Sequence, residues 1–114
     1  MFMPSPFPIP PADENGVITV QREMGTTHRE FIRSLTAAIR PATYTSIEGS
    51  NGVDIEIHGA PGNMRIHLAP ERVRRIALLR LPIVDVTLVL EEFPPESIEP
   101  FFTQFDRAFQ RGGG

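Results

Sequence analysis

From Ile76 to Leu90 apolar side chains occupy both parities of the chain: Ile76, Leu78, Val84, Val86, Leu88 and Leu90 on one, Ala77, Leu79, Leu81, Ile83 and Val89 on the other. Parity is face in a β-strand, and a strand apolar on both faces is buried on both. Ile83 to Glu91 is the clearest strand in the chain, with Val84, Val86, Leu88 and Leu90 lining one face. Residues 70–82 admit two readings. Ala69-Pro70-Glu71 has the form of a helix start with Pro70 at the first position. Arg75 to Leu81 also fits a strand, and this is the reading adopted, because a tight Leu81-Pro82 bend returns it to the following run.

The remaining elements follow from periodicity and punctuation. Ile18 and Val20 alternate with Thr19 and Gln21, so Val17 to Met24 reads as a strand that Gly25 ends. Thr27 with Glu30 three residues on is a capping box, and Phe31, Ile32, Leu35, Ala38 and Ile39 form one helical stripe that Pro41 terminates. Residues 43–48 and 53–58 read as a hairpin around a three-residue loop, Ser50-Asn51-Gly52. That register pairs Ile47 with Ile55 and Thr45 with Ile57. Its other face pairs Tyr44 with His58, Ser46 with Glu56, and the like charges Glu48 and Asp54.

A second hairpin turns on Pro61-Gly62, pairing Ile57 with Ile66 and Ile55 with Leu68, and on the other face His58 with Arg65 and Glu56 with His67. After Phe93-Pro94-Pro95 a helix is expected from Ser97 to Gln110. Ile98, Phe101, Phe102, Phe105 and Phe109 form its packing stripe, and Pro100 is placed in the first turn, where its missing N–H costs least.

The expected architecture is α+β: an antiparallel five-stranded sheet with two helices on one face, in the order β-α-β-β-β-β-α. That order resembles the one in TATA-binding-protein-like domains, a resemblance that implies a fold and no function. Residues 1–15 carry Pro4, Pro6, Pro8, Pro10 and Pro11 with Phe2, Phe7 and Ile9, and read as a proline-rich extended arm. Residues 16–111 are expected to form a single domain, and 112–114 a disordered glycine tail.

Composition removes whole classes of chemistry. The chain of 114 residues has no cysteine, which excludes disulfides, thiolate nucleophiles and cysteine metal sites. Its basic residues are all arginine, so lysine chemistry is excluded as well. No apolar run reaches the roughly 18 residues of a membrane span. The N-terminus lacks the basic start and uninterrupted apolar run of a signal peptide, so a cytoplasmic location is expected. No phosphate-cradling glycine loop, HExxH or GxSxG motif is present, and no catalytic residue, cofactor or metal is assigned.

Two surfaces are candidates for function. The hairpin registers bring Tyr44, Glu56, His58, Arg65 and His67 to the outer face of the sheet, with Ser46 and Asp54 as neighbours. His58 and His67 then lie diagonally about 5.5–8 Å apart. These are the residue types of a two-histidine–carboxylate or small-ligand site, and equally of a solvated sheet face. The second surface is the outer face of the last two strands, Ala77, Leu79, Leu81, Ile83 and Val89, which two helices on the opposite side leave uncovered. A protein partner or a second copy of the chain is expected there. Arg72, Arg74, Arg75 and Arg80, which Arg65 extends, form the basic cluster of the sequence. At a net charge of −3, and without interleaved aromatics, it reads as a strand edge protected from aggregation rather than a nucleic-acid site.

Overall fold

A computed structural model describes residues 9–111. The elements are β1 (Ile18–Met24), α1 (His28–Ile39), β2 (Thr43–Gly49), β3 (Gly52–His58), β4 (Asn63–Leu68), β5 (Arg72–Ile76), β6 (Leu79–Glu91) and α2 (Pro95–Arg111). The α+β class and the element order hold, with one more strand than expected. All pairings are antiparallel, and the sheet runs β1-β6-β4-β3-β2 with β5 paired to β6. The expected glycine tail at 112–114 and the first eight residues of the expected arm lie outside the described residues. Within the described part of the arm, Ile9 packs against the core, and the Asp13 carboxylate accepts from Asn15 N and Val17 N, closing a turn into β1.

The core lies between one face of the sheet and the two helices. Phe31, Leu35, Ala38 and Ile39 of α1 and Phe102 and Phe105 of α2 meet Ile18, Val20, Val53, Ile55, Ile57, Met64, Ile66, Leu68, Val84, Val86, Leu88 and Leu90 of the sheet. Burying each large side chain contributes about 2–3 kcal/mol. Thr27 caps α1 by accepting from Glu30 N at 3.1 Å. At the other end of α1 the Gln104 side chain of α2 donates to the Arg40 carbonyl at 2.8 Å, answering an acceptor the helix leaves unpaired. His28 ties two elements together. Its Nε2 donates to the Ala69 carbonyl at 2.6 Å, and its backbone N–H donates to the Glu71 carboxylate at 2.7 Å.

Four local expectations are corrected. First, β2 and β3 pair one residue out of the expected register, with Tyr44 opposite Ile57, Thr45 opposite Glu56 and Ile47 opposite Asp54. The connection is the two residues Ser50-Asn51, and Gly52 belongs to the strand. Gly52 has a positive φ of 113°, and a Cβ there would also stand 1.9 Å from the Leu68 carbonyl oxygen, so this glycine serves both the turn's backbone and the close approach of β4. The slip separates Glu48 from Asp54 and exchanges the faces of β2. Second, β3 and β4 are shifted by two residues, pairing Ile55 with Ile66, Glu56 with Arg65 and Asp54 with His67. Faces survive a shift of two, and the new partners are oppositely charged or hydrogen-bonding. The connection is Gly59 to Gly62, where a Cβ on Gly62 would come within 2.6 Å of the Glu91 carbonyl oxygen.

Third, α2 begins at Pro95, so Pro100 stands in its second turn. Pro100 is exposed, and water can take the Glu96 carbonyl it leaves free. Fourth, the bend expected at Leu81-Pro82 does not exist. The chain turns at Ala77-Leu78, with Ala77 at φ 54°, and β6 runs straight through Pro82. A left-handed alanine is uncommon, and no glycine or asparagine marks this turn in the sequence.

Candidate interaction surface

β5 continues β4 along the same side of β6. Pairing passes from Leu68↔Val86 to Arg72↔Ile83, four residues on one strand against three on the other, which makes a bulge at residues 69–71. Ala69 N donates to the Asp85 carbonyl within it at 3.0 Å. β1 pairs with β6 only from Val84 to Leu90, and β3 ends opposite Leu68. Beyond those limits β5 and the first residues of β6 form a two-stranded ribbon with no flanking strand among the described residues. Pro82, which has no N–H to give a ladder, sits in the part of β6 that β1 does not reach.

Every residue from Glu71 to Leu81 is exposed. Leu78 is 100% exposed, Leu79 62%, Val73 60%, Ile76 51% and Leu81 40%. Of the residues expected at an interface, Leu79 and Leu81 stand in open water on the outer face and Ala77 lies in the turn. Ile83 is buried at the ribbon's base and Val89 is half-buried further along the sheet. The uncovered apolar surface is therefore the ribbon, both faces and the tip, rather than the whole outer face of β6.

Charge organises the ribbon's base. Arg72 bridges Glu23 of β1 at 2.8 Å and Asp85 of β6 at 3.0 Å, and Arg74 pairs with Glu23 as well. The Arg72 hydrogen bond, with Arg74 beside it, holds the Glu23 carboxyl below its ordinary range. Hydrogen bonds to Asp85 and then Glu23 push the Arg72 guanidinium up in turn. Arg75 and Arg80 lie directly opposite one another on the other face, exposed and with no ion-pair partner among the described residues. Like charges in that position oppose pairing.

The outer face of the sheet carries part of the expected ligand cluster. Glu56, Arg65 and His67 share a shallow concavity of about 380 Å³ with Thr45, Ile47 and Asp54. His67 Nδ1 lies 2.7 Å from the Asp54 carboxylate, and Arg65 donates to Glu91 at 2.8 Å. Ile47, turned outward by the register slip, is 75% exposed here. Tyr44 is turned to the helix side, where it packs against the core. His58 bonds Thr45 Oγ1 at 3.0 Å, and its place in β3 is four residues from Asp54, the partner of His67, about 13 Å along the strand. The two histidines do not meet. Among the described residues no group of three or more histidines and carboxylates is placed to hold a metal ion.

Sequence reading missed one pair. Arg22 of β1 points to the core side, opposite Val86, and pairs with Asp106 of α2, with side chains 7% and 4% exposed. Its guanidinium also lies 5.5 Å from the centre of the Phe102 ring. The signal was present: Arg22 interrupts the series Ile18, Val20, Met24, and Asp106 interrupts the phenylalanine stripe. Two charges of opposite sign in apolar positions of elements that pack together predict each other.

In comparisons with known proteins, no family model, no curated protein and no solved structure matches this chain.

Proposed function

We propose that this protein is a non-enzymatic binding or accessory domain that acts through protein–protein contact or self-association, with the β5–β6 ribbon as its contact element. The observation that carries the reading is the run of exposed apolar residues Val73, Ile76, Leu78, Leu79 and Leu81 on a ribbon with no flanking strand among the described residues. A two-stranded hairpin is marginal in water unless a third strand or an apolar face supports it. Apolar patches of this kind on monomers mark interaction sites. Light scattering over a concentration series, combined with amide hydrogen exchange, tests it. Mass is expected to rise with concentration while amides of residues 72–83 become protected, and Ile76→Ser/Leu79→Ser is expected to abolish both without lowering the thermal midpoint. A monomer at the highest soluble concentration, with ribbon amides exchanging freely throughout, removes self-association.

The concavity around Asp54, Glu56, Arg65 and His67 supports a second reading, a small-ligand site on the outer sheet face. Its test is a fragment screen followed by chemical shifts in the wild type and in His67→Ala. Shifts confined to this face and lost in the variant support it, and their absence disposes of it.

A further inference from the structure

The two ends of β6 differ in the charges that lack an ion-pair partner among the described residues. The ribbon end carries Arg72, Arg74, Arg75 and Arg80, of which Arg75 and Arg80 face open water without a counter-charge among the described residues. At the other end of the strand stand Glu91 and Glu92, then Glu96 and Glu99 at the start of α2, with Asp13 and Glu14 on the entry to β1. Glu91 and Glu92 bond Arg65 and Asn63. Glu14, Glu96 and Glu99 are exposed and, among the described residues, have no ion-pair partner. Leu79 and Glu91 are twelve residues apart on one strand, about 40 Å. One chain thus presents a cationic ribbon and an acidic end too far apart to neutralise each other, since exposed charges are screened beyond about 10 Å.

We infer that the occupant of the ribbon is the acidic end of a second copy of this chain, joined head to tail. The inference rests on the ribbon being a contact element, as proposed above. Pairing two ribbons about a two-fold axis fits less well, because β5 reads Arg-Val-Arg-Arg-Ile and would set arginine against arginine. Seating the ribbon on Glu96 and Glu99 gives Arg75 and Arg80 the anions they lack and places Val73, on their face, and Leu78, at the tip, toward the half-buried Phe93, Ile98 and Phe101 of that end. A contact between two different surfaces is heterologous. It leaves a free ribbon on one copy and a free acidic end on the other, so growth continues past the dimer to a ring or a filament.

The test is sedimentation velocity of the full chain at low and high salt, with Arg75→Glu/Arg80→Glu and Glu96→Arg/Glu99→Arg. The wild type is expected to form species beyond the dimer at low salt and to dissociate as salt rises. Each variant alone is expected to be monomeric, with its circular dichroism spectrum and thermal midpoint retained. Mixed, the first still offers a working acidic end and the second a working ribbon. The reversed ribbon of the first also complements the reversed end of the second, so the mixture is expected to associate again, in assemblies that alternate the two variants. A wild type that stops at a dimer, or an Glu96→Arg/Glu99→Arg variant that associates like the wild type, overturns the head-to-tail inference while leaving a ribbon interface intact. A protein that stays monomeric but retards a nucleic acid through Arg75 and Arg80 overturns it too. Loss of all association in Val73→Ser/Leu78→Ser is the separate measure of whether the ribbon is an interface at all.

Discussion

Between Val84 and Leu90, β6 has β1 on one side, β4 on the other from Val86 on, and the helices over its inner face; between Leu79 and Ile83 it has, among the described residues, β5 alone. Apolar residues recur in both halves. Val84, Val86, Leu88 and Leu90 are buried, whereas Leu79 and Leu81 are exposed. The strand does not change; its surroundings do. Burial is a property of what covers a residue, and the cover stops where β1 and β3 stop. The ribbon's geometry is set by the bulge at 69–71, held by His28 and by Arg72 between Glu23 and Asp85, while nothing described packs on its tip.

Substitutions at the two ends sharpen that contrast. Asp106→Ala, which leaves Arg22 buried and without its carboxylate, is expected to cost about 3–5 kcal/mol in urea unfolding. Replacing both partners by Arg22→Met/Asp106→Leu is expected to recover most of it, and a double variant as unstable as the single one breaks the account. The same deletion of charge on the ribbon, Arg80→Ala, is expected to stay within about 0.5 kcal/mol. Leu88→Ala in the covered half is expected to cost about 2–5 kcal/mol, against about 0.5 or less for Leu79→Ala. Equal losses at the two leucines would mean that the ribbon is packed in the monomer.

The smallest effect is a pH dependence at the ribbon's base. Glu23 titrates below its ordinary value of 4.5 in the folded chain, so its support for the ribbon is complete above that value. The support is lost as pH falls through the lowered folded value. Protection of the Arg72 and Arg74 amides, measured relative to Leu88, is expected to drop over that window, and Glu23→Gln is expected to remove the drop. An unchanged ratio in the wild type would detach the ion pairs from the ribbon's order.

Much of the helical and core organisation was legible in the residues. Thr27 and Glu30 announce the start of α1, Pro41 its end, and the alternation of Val84, Val86, Leu88 and Leu90 identifies the covered face of β6. These are local signals, set by backbone geometry and by a period the side chains must match. The candidate site was less legible, and the reasons are specific. Gly52 and Gly62 look like turn residues, and Gly52 does have a positive φ, yet at each another strand also passes within a Cβ's reach. That contact is long-range, and it moved Tyr44 inward, Ile47 outward and His58 away from His67. The turn at Ala77-Leu78 has no glycine or asparagine to advertise it.

Sequence alone determined that this chain makes an antiparallel sheet under two helices, lacks thiol and lysine chemistry, and has more apolar surface near residues 76–90 than two helices can cover. Tertiary structure decided which of that surface is left bare, which side chains share the outer face, and that, among the described residues, Arg75 and Arg80 stand without an ion-pair partner at one end of β6 and Glu96 and Glu99 at the other. Periodicity reports which face of a strand is apolar. It carries no information on where neighbouring strands end, and those endings decide what meets water.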